Sequence, residues 1–177
     1  MIKIAITGPE STGKSTISKA LAEHFQVHWF PEYARDYLTP REGKYDYDDL
    51  KIIAQEQEEK RSSKKIADHV VFYDTENLVI QIWAEYKYGK VDPFITKLVQ
   101  RQEFDHYFLA SPEGMAWEYD PLRENPVERK ALFIHYKSAV ESHNFPHTIL
   151  TGDANERIEK AINITEELLL SKGGFCV

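Results

Sequence analysis

Eight residues near the start of the chain, Gly8-Pro9-Glu10-Ser11-Thr12-Gly13-Lys14-Ser15, fit the spacing G-x-x-x-x-G-K-[ST] without a mismatch. The chemistry served by that spacing is the capture of a polyphosphate. Two glycines let successive backbone N–H groups turn inward and form a nest for phosphate oxygens. A helix starting behind the second glycine adds unpaired donors and the positive end of its dipole. Lys14 can then reach the β- and γ-phosphates, and the Ser15 hydroxyl can ligate Mg²⁺. Glu10, Ser11, Thr12 and Thr16 complete the expected nucleotide contacts. The ligand predicted is a purine nucleoside triphosphate.

A Mg²⁺ site needs a second hard ligand, and the place to look is an acid ending a hydrophobic strand. Val70-Val71-Phe72-Tyr73-Asp74 supplies one. Asp74 can hold the ion directly or through water, and it can also cap the helix that follows. Thr75 and Glu76 are near enough to share the site, Glu76 as a substrate contact. Further along the site logic, Glu32-Tyr33-Ala34-Arg35 offers a carboxylate placed to orient an acceptor hydroxyl and take its proton. Tyr33 and Arg35 flank it as substrate contacts, Arg35 holding either the carboxylate or a substrate phosphate. The plainer alternative is a structural Glu32–Arg35 ion pair one helical turn apart.

Residues 111–129 are polar, interrupted by proline, and carry Trp117, Asp120, Arg123 and Arg129. That composition predicts a lid. Arg123 and Arg129 brought over the γ-phosphate would stabilise charge during transfer, with Asp120 positioning an arginine or capping a turn. Two solvated surface arginines are the alternative. The seven histidines show no metal-binding spacing.

These residues need elements to hold them. Strand-like runs at Ile2–Thr7, 27–30, 70–73, 107–110 and 148–150 alternate with amphipathic helical stretches at Lys14–Phe25, 48–67, 76–88, Pro93–Arg101, 127–143 and 155–170. Such alternation predicts an α/β fold: a P-loop three-layer sandwich whose five-stranded, mostly parallel sheet carries helices on both faces. Ligands of such sheets sit beyond the carboxyl ends of the strands, where each candidate above falls. No repeat or long linker divides residues 1–177, so one domain is expected.

Taken in order, Gly-Pro-Glu-Ser-Thr-Gly-Lys-Ser at 8–15, Pro-Glu-Tyr-Ala-Arg-Asp-Tyr at 31–37, Phe-Tyr-Asp-Thr-Glu at 72–76 and Trp-Glu-Tyr-Asp-Pro-Leu-Arg at 117–123 resemble the kinase domain of NadR-type proteins. These are ribosylnicotinamide kinases of NAD salvage, within a wider group of AAA-like P-loop ATPases. The resemblance implies ATP- and Mg²⁺-dependent phosphorylation of nicotinamide riboside to nicotinamide mononucleotide, with Glu32 activating the hydroxyl. It implies base contact by the loop Thr151-Gly152-Asp153-Ala154-Asn155, through Gly152 and Asn155, although an ordinary helix cap there is equally consistent. It also implies a substrate-covering helix near residues 45–60. Where the family often carries an aromatic before Glu-Tyr-x-Arg, this chain has Pro31, and Trp29 is the candidate substitute. No His-x-Gly-His motif occurs, so adenylyltransferase activity is not expected. Other readings of the same residues are a regulatory nucleotide switch or a kinase for another metabolite.

Composition narrows the classes further. A net charge of −7 argues against a broad nucleic-acid footprint, leaving room only for a local basic pocket. The single cysteine, Cys176, fits a reducing cytoplasm. No run reaches the roughly 20 apolar residues of a membrane span. The partners predicted are therefore a purine nucleoside triphosphate and a nucleoside-like substrate, with no nucleic acid and no membrane; both monomer and homo-oligomer are compatible.

Overall fold

A computed structural model describes residues 1–122 and 127–173; Arg123 and Cys176 lie outside the described residues. Five strands, β1 (Ile2–Thr7), β2 (Trp29–Phe30), β3 (Val70–Asp74), β4 (His106–Ala110) and β5 (His147–Leu150), form one sheet in the order β2-β3-β1-β4-β5. Every pairing is parallel. Parallel neighbours need long crossovers, and the helices provide them. They are α1 (Lys14–Phe25), α2 (Tyr33–Leu38), α3 (Tyr47–Ser63), α4 (Asn77–Tyr88), α5 (Pro93–Arg101), α6 (Arg129–Ser142) and α7 (Ala154–Ser171), with a 3₁₀ turn at Thr39–Arg41.

Alternation along β1 divides the core. Ile2, Ile4 and Ile6 point to one face and pack with Ile17, Leu21 and Ala161 of α1 and α7. Ala5 points to the other, joining Leu78, Val99 and Leu132 from α4, α5 and α6. A third cluster joins α2 and α3 to α4 through Leu38, Ile53 and Ile80.

The expected strand at 27–30 contracts to Trp29–Phe30, since the Val27 and His28 amides donate to the Ala22 carbonyl and the Asp68 side chain rather than to the sheet. The helix expected over 48–67 stops at Ser63; its start is fixed by Asp46, whose side chain forms a capping box with Asp49. α2 had no sequence counterpart among the expected helices, because six residues are too few to show a helical period. Asp74 is the last residue of β3, and the cap of α4 is Glu76 rather than Asp74.

The turn leaving β1 lies against the end of β4. A Cβ on Gly8 would sit 2.6 Å from the Ala110 carbonyl oxygen, and its φ of +132° is open only to glycine. The clash is with backbone, which cannot swing away. Gly8→Ala should therefore lower unfolding free energy by roughly 2–4 kcal/mol in urea titration; a loss under about 0.5 kcal/mol would show that the β1–β4 contact yields freely.

Candidate active site

At the carboxyl edge of the sheet the P-loop opens into a cavity of about 280 Å³. Gly8, Glu10, Ser11, Thr12, Gly13, Lys14, Ser15 and Thr16 all line it. Gly13 is left-handed (φ 80°) and precedes α1, so the loop delivers its backbone to the helix N-terminus. Lys14 Nζ donates to the Pro9 carbonyl at 2.8 Å, folding the ammonium over the loop. Ser18 and Thr12 tie the same turn to the backbone at Lys14 and Pro9.

Asp74 lies beside Ser15, whose hydroxyl is hydrogen-bonded to it. The carboxylate is buried, and its Oδ1 has no hydrogen-bond partner among the described residues. A hydroxyl and an unsatisfied carboxylate oxygen at the foot of a phosphate nest form a donor set suited to a hard divalent cation. Ser15 and Asp74 thus fit Mg²⁺. The next residue, Thr75, is left-handed at φ 66°, a conformation unfavourable to a β-branched side chain. It is held by its N–H donating to Ile6 and by Arg61 donating to its carbonyl at 2.7 Å.

Glu32 and Arg35 also line the cavity. Arg35 Nε lies 3.3 Å from the Glu32 carboxylate, and its Nη1 lies 2.8 Å from Asp120. Burial pulls the Arg35 guanidinium down, but Glu32 and Asp120 outweigh it and its pKa is raised. Arg35 is therefore a clasp between α2 and residue 120, and its ionic partners are protein carboxylates.

Residues 111–118 lie over the P-loop. Ser11 Oγ accepts from Glu118 N at 2.9 Å; Arg129 donates to the carbonyls of Ser11 at 3.0 Å and Met115 at 3.2 Å. The Arg129 guanidinium also sits over the Trp117 ring, 5.5 Å from its centroid. Arg129 thus lies against the phosphate loop, tying Ser11 to Met115 from outside the cavity lining.

Several expectations are corrected by packing. Glu76 is fully buried and turned away from the cavity: it accepts from Leu78 N at 2.6 Å and from Gln102 at 2.8 Å, and burial raises its pKa. Tyr33 faces α3, where its hydroxyl donates to Glu56 and Lys60 lies over its ring. Gly152 and Asn155 are outside the lining, which Ala154 of the same loop joins; Asp153 and Glu156 make a capping box there. Trp29 pairs with Phe72 and packs toward α1, on the wrong face of the sheet.

Four contributors were not picked out from sequence. Val79 and Trp83, four apart on α4, form an apolar wall of the cavity, where Tyr136 joins them. Their helical spacing is that of ordinary core, so nothing in the pattern sets them apart. Arg157 is more unusual. Its side chain is fully buried, and it donates to the carbonyls of Gly152 (2.8 Å), Thr12 (3.3 Å), Ser111 (2.7 Å) and Glu113 (2.6 Å). Burial lowers its pKa. One guanidinium thereby joins the P-loop to the exits of β4 and β5, and leaves a fixed positive charge beside the cavity. An arginine in an amphipathic helix ordinarily reads as surface; only its place in the first turn of α7, just after a strand end, could have drawn notice.

Two outcomes follow from these buried charges. Burial, then the Glu32 carboxylate, push the Asp74 pKa up from 3.8 to about 6, against the pull of Ser15, Lys14 and Arg35. The fold thus favours the uncharged acid: that contribution is fully present below about pH 4 and is lost as pH rises through about 6. Asp74→Asn should stabilise the ligand-free chain near pH 7.5 by on the order of 2 kcal/mol in urea unfolding, with no gain near pH 4. Equal effects at both pH values would contradict the buried charge. Arg157→Lys keeps the charge but not the fork that reaches four carbonyls, so nucleotide affinity should fall roughly tenfold by calorimetry. Unchanged affinity would reduce Arg157 to a packing role.

Known proteins are similar to this chain in sequence and in fold. The NadR protein of Salmonella typhimurium (strain LT2), a trifunctional NAD biosynthesis/regulator protein, is 29% identical over 96% of this chain and 43% of its own length. The chain thus spans less than half of that curated relative. Crystal structures of NadR with NAD and AMP-PNP and with NR superpose with TM-scores of 0.77 and 0.74 at 20% and 19% identity. They cover 94% of this chain and 49% and 51% of theirs. Deoxyadenosine kinase from M. mycoides with bound dATP superposes at 0.65 and 17% identity, over 94% of this chain and all of that one. At such identities these likenesses establish a common P-loop fold. The family match is wider in kind and rests on sequence: residues 3–157 fit the model described as AAA domain, and the chain belongs to that family.

Proposed function

We propose that this chain is an ATP- and Mg²⁺-dependent small-molecule kinase whose acceptor is a nucleoside, nicotinamide riboside, converted to nicotinamide mononucleotide. The observation that carries the reading is a juxtaposition within one cavity. Lys14 and Ser15 stand on one side, and a carboxylate, Glu32, held by Arg35, stands beside an apolar wall. A nucleotide switch needs the first of these and can use a carboxylate to orient water, but the apolar wall of Val79, Trp83 and Tyr136 suits an organic acceptor.

In the proposed reaction the P-loop amides and Lys14 bind the β- and γ-phosphates. Ser15 and Asp74 would hold Mg²⁺, which supplies charge neutralisation across the phosphates when bound. Glu32 orients the acceptor hydroxyl and takes its proton as the new O–P bond forms. The bond from the γ-phosphorus to the bridging oxygen breaks, releasing the nucleoside diphosphate. Arg129 adds positive charge over the loop, and residues 111–118 exclude water that would otherwise be the acceptor.

The acceptor assignment is supported by what continues past Trp83. The cavity runs into a second chamber of about 240 Å³ that shares Glu10, Leu38, Trp83 and Leu122 with the first and adds Tyr45 and Glu128. The Tyr45 and Trp83 rings are roughly parallel, 6.2 Å apart. Lys87 already covers the Tyr45 ring, 3.8 Å from its centroid, so it is the Trp83 face, with Glu10 and Glu128 nearby, that suits a flat ring carrying positive charge, such as the pyridinium of nicotinamide riboside. The NadR relatives, one solved with NR, support the same choice.

With ATP, Mg²⁺ and nicotinamide riboside, the chain should form ADP and phosphorylated nucleoside in equal amounts, followed by chromatography. Glu32→Gln should lower kcat roughly a hundredfold or more while nucleotide affinity stays within about twofold. Slow ADP release independent of any nucleoside would reject transfer; rapid transfer to adenosine but not to nicotinamide riboside would reject only the acceptor.

A further inference from the structure

Asp74 is presented to Ser15 by a backbone that turns sharply just after it. Thr75 takes φ 66°, a conformation that a β-branched residue rarely holds unaided. Two hydrogen bonds hold it. Thr75 N–H donates to the Ile6 carbonyl at 3.0 Å, which fixes the peptide plane between residues 74 and 75. Arg61 Nη2, from the C-terminal end of α3, donates to the Thr75 carbonyl at 2.7 Å and fixes the plane between residues 75 and 76. Peptide planes are rigid, so fixing both leaves the φ and ψ of Thr75 little freedom.

The same guanidinium also reaches the residue before Asp74. It lies over the Tyr73 ring, 5.2 Å from its centroid, and its charge acts on the Glu76 carboxylate. Arg61 thus brackets the acid through residues 73, 75 and 76 and leaves the Asp74 carboxyl to Ser15. Packing alone does not favour an arginine there. Its Nε is sealed from solvent without a hydrogen-bond partner among the described residues, and burial lowers its pKa. An unpaired buried donor is a penalty that a methionine of similar reach would avoid.

We propose that Arg61 is a positioning residue for Asp74: it pins the turn at Thr75 so that the carboxylate stays aimed at the cation it would share with Ser15. Arg61 is absent from the lining of the nucleotide cavity and touches neither substrate. It acts through the backbone of residues 75 and 76. Its removal should therefore weaken the cation-dependent part of nucleotide binding and spare the part supplied by the P-loop amides and Lys14. The inference rests on the Mg²⁺-nucleotide half of the proposed function and is independent of the acceptor.

The test measures AMP-PNP binding to the full chain by calorimetry, once with Mg²⁺ and once with EDTA. Arg61→Met should weaken binding roughly tenfold or more with Mg²⁺ and by less than about twofold with EDTA. In the ligand-free chain, hydrogen exchange at the Thr75 amide should accelerate roughly tenfold while the amides of Val71, Phe72 and Tyr73 keep their rates. A general loosening of the fold would move all of them. Thr75→Gly separates the two roles further, because glycine holds a left-handed turn without help. On that background Arg61→Met should reduce Mg²⁺-dependent affinity by less than about threefold.

Equal losses with and without the metal would overturn the proposal, and so would unchanged affinity. An undiminished loss on the Thr75→Gly background would do the same, since the turn would then not be the route. Should Arg61→Met fail to fold, Arg61→Gln tests the same bond: its amide is polar but falls short of the Nη2 position. The same metal-confined loss is expected there, and its absence rejects the positioning role. A wild type that binds AMP-PNP equally under both conditions would sink the metal reading of the site and this proposal with it, a result visible before any variant is compared.

Discussion

The register between β1 and β3 is the constraint on which this structure depends. Ile6 stands opposite Asp74, and Thr75 N–H closes the ladder onto the Ile6 carbonyl. That single pairing puts the acid beside the turn that becomes the P-loop. Because side chains alternate along a strand, a slip of one residue would turn Asp74 to the opposite face and separate it from Ser15. The buried isoleucines of β1 and the fully buried β3 hold the register by packing, so the hydrophobic core fixes the position of a polar pair it never touches chemically.

Electrostatics then explain how an acidic chain can attract a polyanion. Lys14, Arg35, Arg129 and Arg157 are gathered at the carboxyl edge of the sheet, each held by backbone carbonyls or by carboxylates of the protein. Arg157 matters most for shape, since its four carbonyl partners come from three different loops. Carbonyl dipoles hold the guanidinium without cancelling its charge. Asp74 is the opposite case, an acid kept where burial opposes its ionisation. Such an arrangement costs stability in the empty protein and would be relieved by a cation and phosphates bound there, a trade between stability and function common at active sites.

The segment 74–76 is where the two ends of the molecule meet. Asp74 faces the P-loop, Thr75 is strained, and Glu76 caps α4 from within the core. Arg61 and Gln102 reach Thr75 and Glu76 from behind. A strained turn fixed from both sides has few ways to move, which keeps Asp74 in place beside Ser15.

The sequence by itself determined the phosphate chemistry and the sheet that supports it. Gly8 through Ser15 is a contiguous motif whose meaning depends on local backbone geometry, and the strand–helix alternation is a local periodicity; both are readable without knowing what packs on what. Asp74 was legible because it ends an apolar run. What only the tertiary structure decided are directions and partners across long sequence separations. It turned Glu76 and Tyr33 away from the cavity, placed Trp83 rather than Trp29 in it, gave Arg35 to Asp120, and made Arg157 a clamp on residues as distant as Thr12. A helix of six residues shows no period, and a buried arginine looks like a surface one until its acceptors are in place. Those outcomes depend on which face of an element is covered, and that is settled only when all the elements are packed.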